Sequence, residues 1–96
     1  MVFDRDVHLN ALSYFAQQFT VTRNSRMVGS FSASTPVECF VTSSNNVVLY
    51  SSGRINGGKI DVMLRPGTIY LTFNNRFSLL TSKNVRARIY IIPIGP

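Results

Sequence analysis

The chain is poor in the residue types from which active sites and metal cages are built. Among its 96 residues are one cysteine, Cys39, one histidine, His8, no tryptophan, and four carboxylates, Asp4, Asp6, Glu38 and Asp61. A single cysteine excludes an internal disulfide and any cage of several thiolates. Cys39 alternates with Val37 and Val41, which reads as a core thiol, and no histidine lies beside it to act as a base. The four carboxylates are scattered and suggest no acid–base pair. His8 with Asp4 and Asp6, in DRDVH, reads as a solvated tail rather than a metal site. No catalytic residue, metal, cofactor or small-molecule substrate is therefore expected.

Long apolar runs are also missing. Nothing approaches the roughly 18 residues of a membrane-spanning helix, and MVFDRDVHLN carries two aspartates where a secretion signal would be apolar. These features predict a chain without a signal peptide or transmembrane segment. They leave open an intracellular protein and the trimmed form of an exported one.

What the chain does have is positive charge and alternation. Ten arginines and lysines against four acids give a net charge of +6, which favours encounter with nucleic acid, acidic lipid or acidic protein faces, or else simply solubility. With 45% apolar residues, the composition is that of one globular domain over residues 1–96. FTVT (19–22), RMVGSFSAS (26–34), VECFVTS (37–43), NVVLYSS (46–52), KIDVML (59–64), TIYLTF (68–73) and VRARIYII (85–92) read as strands, most of them alternating. Turn signals separate them: Arg23–Ser25, Thr35-Pro36, Ser44–Asn46, the three-glycine GRINGG (53–58) and Arg65–Gly67. Ala11–Phe19 is expected to hold a turn or two of helix. Seven to eight short strands in about a hundred residues predict an all-β, antiparallel β-sandwich of jelly-roll or similar type.

One stretch between strands, FNNRFSLLTSKN (Phe73–Asn84), is long for a hairpin loop and carries Phe77, Leu79 and Leu80. Burial explains three such residues without a ligand, so the loop is expected to plug one end of the fold, with Phe77 mostly buried. Asn74 and Asn75 suit a strand terminus. From Pro66 the features run as follows: Pro66-Gly67, a strand to Phe73, Asn74-Asn75, Phe77-Ser78, Ser82-Lys83, then alternation from Val85. This run, residues 66–92, resembles the C-terminal strands of the GOLD domain. That β-sandwich occurs in cargo receptors of the early secretory pathway and beside lipid-binding domains of some lipid-transfer proteins. The resemblance implies fold more than task.

Arg86, Arg88 and Tyr90 share one face of the last strand, with the arginines ~7 Å apart. If the preceding strand pairs with it, Thr68, Tyr70 and Thr72 join that face, and Arg76 and Lys83 lie at one end. Arg86, Arg88, Tyr90, Tyr70, Arg76 and Lys83 are the candidate partner- or anion-binding residues. The composite expectation is a non-catalytic, GOLD-like interaction module. It would recognise a protein partner or self-assemble as an oligomer through an exposed strand face, where Val28 and Ile92 also point outward. The alternative is a basic surface for nucleic acid or anionic lipid, although no RNA-recognition motif is present.

Overall fold

A computed structural model describes residues 2–95 and the side chains of 3–95. Six strands form one continuous antiparallel sheet: β1 (Val2–Leu9), β2 (Tyr14–Val21), β3 (Ser25–Ser43), β4 (Val48–Leu64), β5 (Gly67–Asn74) and β6 (Lys83–Pro93). The strand order is β1-β6-β3-β5-β2, with β4 on the other edge of β3. The all-β, antiparallel expectation holds. Six strands replace the seven to eight expected, and the sheet is a single one curled into a half-barrel.

The curl originates in β3. Residues Ser25–Ala33 pair with β6 and residues Glu38–Ser43 pair with β5, while β4 follows the opposite edge from Ser25 to Thr42. Between the two halves the register slips against β4 from Ser32 to Val37. Pro36, which has no N–H to donate, falls within that slip, where a missing ladder bond costs little. Lys83 Nζ donates to the Pro36 carbonyl at 2.6 Å and ties the corner to the start of β6.

β4 bends with it. Gly53 has φ +69° beside a second slip, between Glu38 and Phe40, the backbone a bulge demands and a side chain resists. There the Cys39 N–H donates to Ser52 Oγ at 2.9 Å. Thr35-Pro36 and GRINGG therefore bend two long strands where the sequence suggested that they end four short ones.

Curling brings the far ends of the strand order together. β1 and β2 are not paired, yet Phe3 meets Phe15 and Phe19 with ring centroids at 6.0 and 6.3 Å. Phe31 of β3 meets Phe73 of β5 at 5.5 Å. The inner face buries Met27, Phe31, Val37, Cys39, Val41, Ile60, Leu64, Ile69, Leu71 and Phe73, together with Val85, Ala87, Ile89 and Ile91. These inward registers agree with the alternation of each strand.

Two expectations near the N-terminus are corrected. Ala11–Phe19 contains no helix, because Tyr14–Val21 is an alternating strand whose Phe19 and Val21 are buried. The DRDVH segment is not a solvated tail. It belongs to β1, which pairs with β6 along its length and buries Phe3, Val7 and Leu9.

Candidate functional site

The alternation of β6 turns Arg86, Arg88, Tyr90 and Ile92 outward, while Val85, Ala87, Ile89 and Ile91 are buried. β6 lies between β1 and β3. In register, Arg88 faces Asp4 and Arg86 faces Asp6 on β1. On the other side Arg86, Arg88 and Tyr90 face Ser32, Ser30 and Val28 of β3.

The first half of this face is an ion lattice. Arg86 pairs with Asp4 and lies 3.8 Å from Asp6, and Arg88 lies 3.5 Å from Asp4. Two cations thus meet two anions, and the local charge is neutralised. His8 Nδ1 and Asn84 Oδ1 lie 2.8 Å apart, and the Asn84 N–H donates to Ser34 Oγ. A shallow depression of about 230 Å³, lined by Ser30, Phe31, Ser32, Arg86 and Arg88, runs alongside.

The second half is apolar. Tyr90, Ile92 and Met63 are 40%, 48% and 61% exposed. Tyr90 lies against Val28, and Arg26 lies between Ile92 and Met63. The result is a patch across β6, β3 and β4 with one ion pair set into it. Arg26 donates to both oxygens of Asp61, Nε to Oδ1 at 2.7 Å and Nη2 to Oδ2 at 2.5 Å. These bonds raise the Arg26 pKa and hold Asp61 below the usual carboxylate range.

The other candidate residues do not join this face. β5 is separated from β6 by β3, so Tyr70 faces Gln18 and Thr42 in the other half of the sheet. The premise that the fifth and sixth strands pair fails because β3 is long enough to serve both. Arg76 donates from Nε to Asn74 Oδ1 at 2.9 Å and lies 4.8 Å above the Tyr14 ring. Lys83 is 4% exposed, bonded to the Pro36 carbonyl, with its ammonium 4.5 Å from the centre of the Phe77 ring. Its pKa is lowered by burial first and by neighbouring Arg54 second.

The Phe73–Asn84 loop proves to be scaffold in part. Asn74 and Asn75 are buried, and Asn75 Nδ2 donates to the carbonyls of Asn10 and Thr81. Phe77 is partly buried, with Arg54 over its ring at 4.2 Å. Leu79 and Leu80 contradict the plug: they are 74% and 94% exposed. The loop is closed by asparagine hydrogen bonds, which leaves the leucines outside.

Sequence reasoning missed Asp4 and Asp6 as partners of Arg86 and Arg88. The signal was present in VFDRDVHL, where Phe3, Val7 and Leu9 alternate with Asp4, Asp6 and His8. It missed Met63 as well, an outward residue beside inward Val62 and Leu64. Cys39 lies in the core as expected, and burial pushes its pKa up to about 12.

These features define an all-β domain with one curled antiparallel sheet and a mixed ionic and apolar outer face. No protein-family model and no curated protein matches the chain. Among the described residues no helix is long and apolar enough to cross a membrane.

Proposed function

We propose that this is a non-catalytic interaction module that docks a protein partner, or a second copy of itself, through the outer face of β6, β3 and β4. The observation that carries this reading is the cross-strand patch of Tyr90, Val28, Ile92 and Met63. Large apolar side chains at the centre of a flat face are the usual core of a protein interface. Arg26 and Asp61, set into the patch between and beside these residues, supply orientation, since a fixed ion pair adds specificity more than affinity.

The fold we read as related to the GOLD sandwich, with one curled sheet whose two halves share the long β3–β4 hairpin. The Pro66–Ile92 run supports that kinship: Gly67 opens β5, Phe73-Asn74 close it, and Lys83 opens β6.

A polyanion site on Arg86 and Arg88 is the weaker reading, because Asp4 and Asp6 already neutralise them. The test is sedimentation over a range of concentrations for the native chain and for Ile92→Asp with Met63→Asp. Self-association that the double variant loses is the expected result. A monomer at every concentration would remove the self-assembly arm. A shift of Arg86→Ser with Arg88→Ser on a polyanion column, steeply salt-dependent, would revive the anionic alternative.

A further inference from the structure

The loops Asn10–Ser13 and Asn75–Ser82 meet at the end of the molecule opposite Ile92. The Leu12 N–H donates to the Ser78 carbonyl at 3.0 Å, and the Asn75 N–H to the Ser13 carbonyl at 2.9 Å. Asn75 Nδ2 bridges both loops at 3.1 and 2.9 Å, and Ser13 Oγ donates to the Asn10 carbonyl at 2.6 Å. The tip is thus braced from within by polar groups.

What the brace presents is aliphatic. Leu12 is 55% exposed, beside Leu79 and Leu80. Leu12 also holds φ +62°, a left-handed conformation that is unfavourable for leucine and that asparagine or glycine would adopt more readily. Each exposed leucine leaves apolar surface in water that burial would stabilise. Behind the leucines stand cations and rings. Arg76 lies over Tyr14, itself 56% exposed, and Arg54 lies over Phe77. Among the described residues Arg76 has no carboxylate partner, and the nearest for Arg54 is Glu38 at 3.8 Å.

We infer that this tip is a membrane-docking site for an anionic bilayer surface. The three leucines enter the boundary between headgroups and acyl chains, and Arg76 and Arg54 meet lipid phosphates. Aliphatic residues projecting ahead of a basic collar match the layering of a leaflet, apolar beneath anionic. Leucine does not stack on bases, which sets this surface apart from a single-strand nucleic-acid site. The charge balance of the chain, +6, acts in the same direction by concentrating it near anionic membranes. The tip shares no residue with the apolar patch of β6, so the two proposals stand or fall separately.

The test is co-sedimentation with phosphatidylcholine vesicles, with and without phosphatidylserine, at low salt. The native chain should bind vesicles containing phosphatidylserine and bind phosphatidylcholine alone far less. Leu79→Ser with Leu80→Ser should lower the partition constant on the order of 10–100-fold. Arg76→Ser should lower it about fivefold, the effect of one cation at an anionic surface. Neither variant touches the core, so thermal unfolding should match the native chain and exclude misfolding as the cause. Failure of the native chain to bind vesicles containing phosphatidylserine would overturn the assignment, as would unchanged binding by the double-serine variant. Self-association without vesicles, abolished by the same variant, would reassign the tip to a contact between copies.

Discussion

At one end of the molecule Tyr90 and Ile92 of β6 and Met63 of β4 flank β3 in a continuous ladder. About 30 Å away along β6, Leu12, Leu79 and Leu80 stand off two loops held by asparagine and serine. The first group is flat, sits on a packed layer and has a bidentate ion pair set into it. The second protrudes, rests on no apolar layer of its own and is backed by Arg76, without a carboxylate partner among the described residues, and by Arg54, 3.8 Å from Glu38. Flatness and a rigid base suit another folded surface. Protrusion and a cation without a carboxylate partner suit a fluid, anionic one. The exposure of an apolar side chain says little until its support is known.

The largest effect that would separate these surfaces lies beneath the patch. Gly29 is packed so closely by β6 that an added Cβ would stand 2.2 Å from the Arg88 carbonyl oxygen and 2.8 Å from Ile89 Cα. Backbone cannot rotate away, so Gly29→Ala should cost ~3 kcal/mol or more, the top of the range for overpacked sites. Denaturant unfolding would measure it, and a loss under 1 kcal/mol would show that β6 rides loosely on β3. Phe73→Ala, at the centre of the core, should cost ~3–5 kcal/mol and weaken both ends together.

Next comes the brace of the loops. Asn75→Ala removes both hydrogen bonds that this buried amide donates to the Asn10 and Thr81 carbonyls, about 1–3 kcal/mol, and should accelerate amide exchange at Leu12 while Val28 and Tyr90 keep their protection. Equal acceleration at both ends would mean that the tip and the sheet open as one unit.

pH offers a finer distinction. The folded pKa of Asp61 is depressed, so the contribution of its pair with Arg26 is present above the ordinary carboxylate value and fades as pH falls through the lower, folded one. Carbon-detected titration should find Asp61 below an unstructured aspartate, with Ile92 methyl shifts following it and Leu80 methyl shifts unmoved. At the alkaline end the sign reverses. Burial raises the pKa of Cys39 to about 12 and also raises that of Tyr50. Stability from these groups is complete below their ordinary values and declines as pH rises from about 9 toward 12. Cys39→Val should flatten that decline, and the native thiol should resist disulfide reagents until the chain unfolds. The smallest effect expected is that of Arg26→Ala on stability, since solvent screens so exposed a pair, and denaturant unfolding should barely separate the variant from the native chain.

The inward rows of β3, β4, β5 and β6 were legible in the sequence because a half-buried strand must alternate. The bends were not, because Pro36 and Gly53 carry the same local signal whether a chain reverses or merely kinks. Only the partner strand decides between these outcomes, and the slips opposite both residues are what keep β3 and β4 continuous. Tyr70 failed to join Arg86 and Arg88 for the same non-local reason. The role of Asp4 and Asp6 was hidden by their distance along the chain from Arg86, although β1 alternates plainly. Leu79 and Leu80 were expected inside because apolar loops are usually buried. Asn75 does the closing instead, and nothing in its neighbours announces it.

The pairing of β1 with β6 carries a kinetic consequence. Among the described residues β1 has β6, far along the chain, as its only ladder partner, so Val7 and Leu9 lack that partner until β6 has been made. β3, meanwhile, must wait for β4, β5 and β6 in turn. Closing such distant pairs pays its entropy before its reward. Acquisition of the native state should therefore be a late, all-or-none event, and a nascent chain halted before Lys83 would need an escort for the apolar side of β1.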